Sequence, residues 1–510
     1  MKIDHLLIVY AALNAILYSA LLPLWEGFDE PFHFGYVQQL ANGQGFPDAR
    51  SARLSREVSE AILLAPASHG VKGNLPEVVT YPEFFSWPLE RRSQAHQALR
   101  DIPWEYRWQP SNFLNYEAQH APLAYILLAI PERLLARIPL PSRVLILRIL
   151  AALAGSLLLY AGAKSLCSQL GIGEPYRGIA LFCVLSSQMT WATLAHVAND
   201  WLAVPLAVWT LVFMIRFASS PTAANVAVAS LLLCAGLLTK AYFLALVPVL
   251  FGICLFRRTV RGALVATAII AIFAMPWYVR NYRLYDTISG RQEERSSGFH
   301  VSTVLRTAPA INWPKVAVDT THAALWTANN TFRTFSLNTL NLVILVLVAA
   351  LLLWAFSRHE PAEWVVVAYC TAFLLALAYT RVLTYLAPWY AQVLVTPILT
   401  LSLLGTARWR RVGRVLAIGL PLLFGYVLLV TYVFKLIPLY AGYQGRSSLH
   451  DIGVLYRTQF DGLSANLNLV ALGSARLILG LTITVIILIL AQEVLLIRGL
   501  LVHRSLKNPH

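Results

Sequence analysis

The sequence predicts an all-α polytopic membrane protein, and three observations predict it. Of its 510 residues, 58% are hydrophobic and only 13% are charged, about half the charged share of an ordinary soluble chain. Uncharged apolar runs of roughly 18 to 25 residues recur along it, each long enough to cross a hydrocarbon core as a helix. The basic clusters "RRTVR" (257–261), "RWRRVGR" (408–414) and "RGLLVHRSLK" (498–507) all flank such runs, which is the pattern of cytoplasmic loops. Lipid leaves every backbone polar group to be satisfied internally, so the runs must be helical. A β-barrel is excluded, because its strands would be about 10 residues long and alternate in polarity. The net charge of +15 therefore points to anionic lipid headgroups rather than to nucleic acid.

The elements follow in order. Residues 1–24 hold the first run, "HLLIVYAALNAILYSALLPLW". It lacks a small-residue cleavage site and reads as a retained transmembrane helix. Residues 25–120 form a polar insert with an amphipathic piece, "SARLSREVSEAILLA", and an aromatic one, "IPWEYRWQPSNFLNYEAQH". Such pieces suit short helices lying at the membrane interface. Residues 121–279 and 339–440 are transmembrane bundles, separated by a second insert at 280–338. A third insert, 441–470, precedes the last transmembrane helix and a basic tail at 471–510. With the basic tail in the cytoplasm, all three inserts fall outside, and the crossings total about 12 at the usual span length. Even parity requires one of the apolar pieces near 121–138, 144–163 and 178–197 to be re-entrant or interfacial. The five cysteines, Cys167, Cys183, Cys234, Cys254 and Cys370, lack metal-type spacing and read as packing residues.

Acids and histidines gather at three helix mouths on the predicted outer side. In "GFDEPFHFGYV", Pro31 suits the first position of a helix, with Asp29 and Glu30 at its positive end and His33 one turn on. A helix cap explains one carboxylate, not two and a histidine. In "NYEAQHAPLAYIL", Glu117 and His120 precede Pro122; in "HVANDWL", His196, Asn199 and Asp200 precede another crossing. Convergent acids outside the bilayer suit a general base, or a divalent metal such as Mg or Mn. Lys240, Arg280, Arg283, Arg291 and Arg381 fall on the same side. Singly they are anchors at the interface; together they suit a phosphate.

These motifs carry a resemblance. "FDEPFHFGYV" resembles the acidic motif in the first outer loop of protein O-mannosyltransferases. "YEAQHAPLAYIL" resembles the segment opening the next helix in those enzymes and in aminoarabinose lipid A transferases. "ND" at 199–200, "LLTKAYF", "PWYVRNYRLYD" and "YLAPWYAQVLVTPILTLSLLG" resemble later landmarks in the same order. The chain departs from the pattern at Ala121-Pro122, where two prolines are usual, and at Arg381, which stands four residues before Tyr385. The superfamily resembled is the GT-C fold of polyprenyl-phosphate-dependent glycosyltransferases.

The resemblance implies a multi-pass protein of the inner (plasma) membrane, with its site facing outward. It would move a sugar from a polyprenyl-phosphate donor to a glycan, lipid or protein acceptor, with inversion. Asp29 would be the general base and Glu30 would orient the base or the acceptor. Lys240, Arg280 and Arg291, or a metal, would neutralise the donor phosphate. His33, Glu117, His120 and Asp200 would contact metal or headgroup. The competing readings are a transporter or flippase for a lipid-linked saccharide and an oligosaccharide polymerase or ligase. A transporter is expected to carry charge at the bilayer midplane and inverted repeats, where this chain carries acids at helix mouths. A polymerase or ligase typically relies on arginines in a large outer loop.

Overall fold

The computed structural model describes residues 3–68, 77–297, 301–331, 334–409, 411–443, 445 and 448–502. Residues 503–510, most of the predicted basic tail, and Arg410 of "RWRRVGR" lie outside the described residues. Among the described residues, eight helices are long and apolar enough to cross a membrane, or nine if the bent pair Val260–Phe273 and Met275–Tyr285 is one span. The expected number of crossings is reached only if the shorter apolar helices Tyr176–Ser186, Ala223–Leu237 and Ala241–Phe256 are counted as well.

Helix Ile3–Leu21 lies antiparallel to Leu140–Gln169. At one end Asp4 takes hydrogen bonds from Tyr160 and Lys164; at the other Arg148 reaches the Leu22 and Pro23 carbonyls. Ala475–Val502 packs on the same helix, anchored by Gly473 N–H on the Ala20 carbonyl at 2.8 Å. Helix Asp200–Ser219 packs between Leu140–Gln169 and Ala223–Leu237, and Leu337–Ala355 packs on Gln392–Arg408. Large apolar side chains such as Leu264, Ile272, Leu345, Leu375, Ile483 and Ile487 remain exposed on the outside of the bundle. In water such a surface would be unstable; on helices of spanning length it is the surface that hydrocarbon covers.

The insert at 25–120 differs from the expectation of interfacial helices alone. It also contains a two-stranded antiparallel sheet, β1 (Arg53–Ser55) with β2 (Pro110–Leu114), so the chain is not purely α. Strand β1 runs into helix Arg56–Leu64, capped by the Ser55 hydroxyl. Glu57 on this helix is 1% exposed and meets Arg143, which also holds Glu132. Arg107 adds a contact to Glu132 at 3.3 Å, and Gln38 donates to Glu57 at 2.6 Å. Four buried charges of alternating sign thus tie the insert to the bundle. Each is tolerable in the interior only because its neighbours neutralise it.

Of the three ambiguous apolar pieces, the first stays at the insert end. Leu123 N–H bonds to the Leu238 carbonyl, while Glu132 meets Arg107 and Arg143, and helix Leu123–Leu134 packs on Glu30–Ala41. The third piece is broken at Ser187 into Tyr176–Ser186 and Gln188–Leu194. It runs from the neighbourhood of Ile3 and Leu496 to Glu30, whose carboxylate accepts from Val197 N–H at 2.9 Å.

Candidate active site

The turn after the first helix is held from three directions. Arg148 bonds the Leu22 and Pro23 carbonyls and pairs with Glu30 through two nitrogens. Asn330, from the second insert, donates to the Gly27 carbonyl at 2.8 Å and to the Trp25 carbonyl at 3.3 Å. A Cβ on Gly27 would lie 2.5 Å from that of His196, so the turn packs against His196 only because residue 27 has no side chain. Glu26 is fully buried and accepts from Tyr81 at 2.9 Å; burial pushes its carboxyl up to about 8.

Asp29 sits at the head of helix Glu30–Ala41 with φ 53° and ψ 18°, in the left-handed region that few residues other than glycine adopt. Its side chain makes no capping bond, which rejects the simple cap reading. Oδ1 instead accepts from the Tyr116 hydroxyl at 2.6 Å. Burial, then the Glu117 charge, raises the Asp29 carboxyl to about 7; Tyr116, His120 and Lys240 pull the other way.

His33, one turn along, meets Tyr125 at 2.8 Å and Glu117 at 3.4 Å. His120 Nε2 meets the same Glu117 oxygen at 2.7 Å. Burial holds His33 well below the usual histidine range, so it is neutral. Lys240 pairs with Asp200 at 2.5 Å, and its ammonium lies over the Tyr390 ring at 5.0 Å and the Tyr242 ring at 5.5 Å. Asp29, Glu117 and Asp200 all lie within electrostatic reach of Tyr125. The structure therefore brings together Asp29, His33, Glu117, His120, Asp200 and Lys240, although they are drawn from three separate helix mouths.

Beside them lies a pocket of about 420 Å³. His120, Lys240 and Arg291 line its polar end; Phe373, Leu377 and Tyr390 line the rest. Arg291 also reaches the Thr380 hydroxyl at 3.3 Å, and Gln292 N–H bonds to the Gln119 side chain at 2.6 Å, which joins the second insert to the first.

Two of the expected site residues lie away from this pocket. Arg280 does not line this pocket. The 52° bend before Met275–Tyr285 carries it toward the first insert, where it bonds the Pro47 carbonyl at 3.2 Å and lies on the Trp277 ring. Glu30 is fully buried, and Arg148 and Val197 N–H occupy both its oxygens, so it holds the turn that carries Asp29. As for Mg or Mn, no three His, Cys, Asp or Glu side chains among the described residues are arranged to hold an ion. Asp200 is paired with Lys240 and Glu117 with His120, a poor donor set for a hard cation that wants several free oxygens.

Tyr116, Tyr125, Arg148 and Asn330 were not singled out from the sequence. The two tyrosines stand inside the "NYEAQHAPLAYIL" motif. Arg148 had a signal, being a charge within the long apolar helix Leu140–Gln169; Asn330 had none.

No family model matches the sequence, and no curated protein matches it significantly. In structure the chain is similar to ArnT from Cupriavidus metallidurans bound to undecaprenyl phosphate. The TM-score is 0.49 at 13% identity, covering 96% of this chain and 77% of that one. It is also similar to the oligosaccharyltransferase of Archaeoglobus fulgidus tethered with an acceptor peptide containing the NVT sequon, with TM-score 0.45, 12% identity, and coverage of 96% and 55%.

Proposed function

We propose that the protein is a membrane glycosyltransferase that takes its sugar from a polyprenyl-phosphate donor. The observation that carries this reading is the joining of a carboxyl titrating near neutrality, Asp29, to a pocket with a cationic end and an apolar wall. Phosphate needs the cations, and a greasy tail needs the wall. A carboxyl titrating near the working pH is suited to general base work.

Asp29 Oδ2, which makes no hydrogen bond among the described residues, accepts the proton of the acceptor hydroxyl. Tyr116 holds Oδ1 and so fixes the other oxygen. The acceptor oxygen attacks the anomeric carbon from the face opposite the phosphate, and the new C–O bond forms as the C–O bond to phosphate breaks. The electron pair leaves with the phosphate, whose charge passes from one negative to two. Lys240 and Arg291 stabilise that second charge, which exists only from the transition state onward. Glu117 beside Asp29 raises its affinity for the proton it is to accept, and His120 and Lys240 moderate that rise so that the ionised base is present near neutrality. Glu30 and Arg148 position the turn. The basic loops at the other end support a site facing the extracytoplasmic side of the plasma membrane.

The experiment is sugar release from a polyprenyl-phosphate sugar by purified wild-type protein and Asp29→Asn. Wild-type turnover in the variant, with unchanged folding, overturns the reading. Transport of the intact lipid-linked saccharide in proteoliposomes without any new glycosidic bond favours the flippase alternative.

A further inference from the structure

The turn that carries Asp29 holds another buried acid, Glu26, which the transfer chemistry does not use. In sequence it stands between two residues of left-handed backbone, Trp25 with φ 64° and Asp29 with φ 53°. Backbone of that kind persists only where the surroundings over-determine it. Glu26 supplies part of that determination. Its N–H bonds to the Pro23 carbonyl at 3.2 Å, and its own carbonyl accepts from Asn330 N–H at 3.2 Å. Its Oε2 accepts from the Tyr81 hydroxyl at 2.9 Å, which ties the turn to helix Tyr81–Ser86.

What Glu26 lacks is a cation of its own. Thr331 N–H lies nearby but bonds the Ala328 carbonyl at 3.1 Å, and Glu26 Oε1 is buried without a hydrogen bond among the described residues. The charged and titratable groups around it, among those residues, are Arg148, Glu30, Tyr18, Tyr81 and Tyr440. Arg148 is already committed: Nη1 holds the Leu22 carbonyl, Nη2 the Pro23 carbonyl and Glu30, and Nε Glu30 again. A carboxylate at this place is a buried charge without a neutralising partner, beside a second carboxylate; a neutral carboxylic acid avoids both costs. A negative Glu26 would repel Glu30 and draw Arg148 from the two carbonyls that fix the start of the turn.

We propose that Glu26 is a positioning residue that works only as the neutral acid: protonated, it seats the turn that holds Asp29 against Tyr116, and ionised, it unseats it. This rests on the transfer reading above and adds a limit that Asp29 alone does not set. Asp29 must be ionised to accept a proton, while Glu26, three residues earlier, must not be. Burial raises Asp29 to about 7 and Glu26 to about 8, so the two demands confine transfer to a narrow band of pH.

The test is the pH profile of sugar release from the lipid-linked donor by purified wild type, Glu26→Gln and Tyr81→Phe. Wild type is expected to lose activity above about 8, roughly ten-fold per pH unit. Glu26→Gln, uncharged and of the same shape, should keep the acid limb set by Asp29 and lose the alkaline one. Tyr81→Phe removes a hydrogen bond that favours the ionised form, so its alkaline limb should move to higher pH; it serves if the glutamine variant folds poorly. A merely structural Glu26 would lower activity alike at every pH. Thermal unfolding gives a reading independent of turnover. The folded chain keeps Glu26 protonated where the unfolded chain, with the ordinary 4.5, has ionised it. Wild type therefore loses stability as pH rises from 4.5 to about 8, and the glutamine variant loses less. The gap between their unfolding temperatures should grow across that window and level off above it. A wild-type profile without an alkaline limb, a limb retained by Glu26→Gln, a limb moved to lower pH by Tyr81→Phe, or an unfolding gap that does not grow overturns the proposal. Wild type that releases no sugar at any pH condemns the transfer reading instead, and the unfolding gap still decides whether Glu26 is held neutral.

Discussion

In the transfer mechanism proposed above, Asp29 concentrates the chemistry in one side chain, and its pH dependence is the sharpest consequence. Its carboxyl is raised to about 7, first by burial and then by Glu117, and the base works only when ionised. Activity at subsaturating donor is therefore expected to fall as pH drops through about 7, with a slope of one proton. Tyr116 stabilises the ionised form, so Tyr116→Phe should move that limb to higher pH; a limb moving lower would show that another group titrates. Asp29→Asn should cost roughly 10² to 10⁴ in turnover, with thermal stability unchanged or higher, because an unfavourably buried acid has been removed. Lys240→Met should cost on the order of 10² to 10³ in turnover. Pairing it with Asp200→Asn separates lost catalysis from an orphaned carboxylate. Activity that survives exhaustive EDTA treatment is expected if Lys240 and Arg291 supply the positive charge. The acids and Lys240 were legible as residues because each stands beside a long apolar run. Their partners were not, because a tyrosine or an asparagine in a polar loop carries no periodic signal.

At the level of elements, the long helices were legible almost to their ends. Apolar runs of spanning length have one structural solution, and the helices from Asp200–Ser219 onward appear where that rule puts them. The insert at 25–120 was less so. Strands β1 and β2 are three and five residues long, too short for an alternation pattern, and their pairing is fixed by contacts between residues more than fifty apart. Helix Arg56–Leu64 turns its buried face to protein, where Glu57 enters the Arg143 network. The same logic governs Arg148. Arg148→Ala leaves Glu30 buried and unpaired, so it should lower stability by roughly 3–5 kcal/mol, read as thermal unfolding in detergent. The double change Arg148→Met/Glu30→Gln should recover much of that loss. If the single variant unfolds like wild type, the clamp is not what holds the turn.

For the whole molecule, the three helix mouths converge because the bundle's antiparallel packing returns the chain repeatedly to the same end. Asp4 with Lys164 marks one end; Glu30 with Arg148 marks the other. Residues Gln44 and Arg258 are both exposed and belong to opposite ends. In a background without the five native cysteines, Gln44→Cys should react with a membrane-impermeant maleimide in intact cells. Arg258→Cys should react only after permeabilisation. Reaction of both from one side would break the topology on which the extracytoplasmic assignment stands. The fold class was legible from composition, but which apolar piece stays at the insert end was not. Arg133, Arg137, Lys164 and Arg177 gave no asymmetry, and the decision lies in tertiary bonds such as Leu123 to Leu238.

The turn bearing Asp29 is braced by Asn330, some three hundred positions later in the chain. During synthesis, the first helix and its acid leave the ribosome long before that amide exists. A nascent chain cut short of residue 330 lacks this brace for the Gly27 carbonyl, however well its early helices have inserted. Under the transfer proposed above, competence then arrives late, once the second insert has closed on the first.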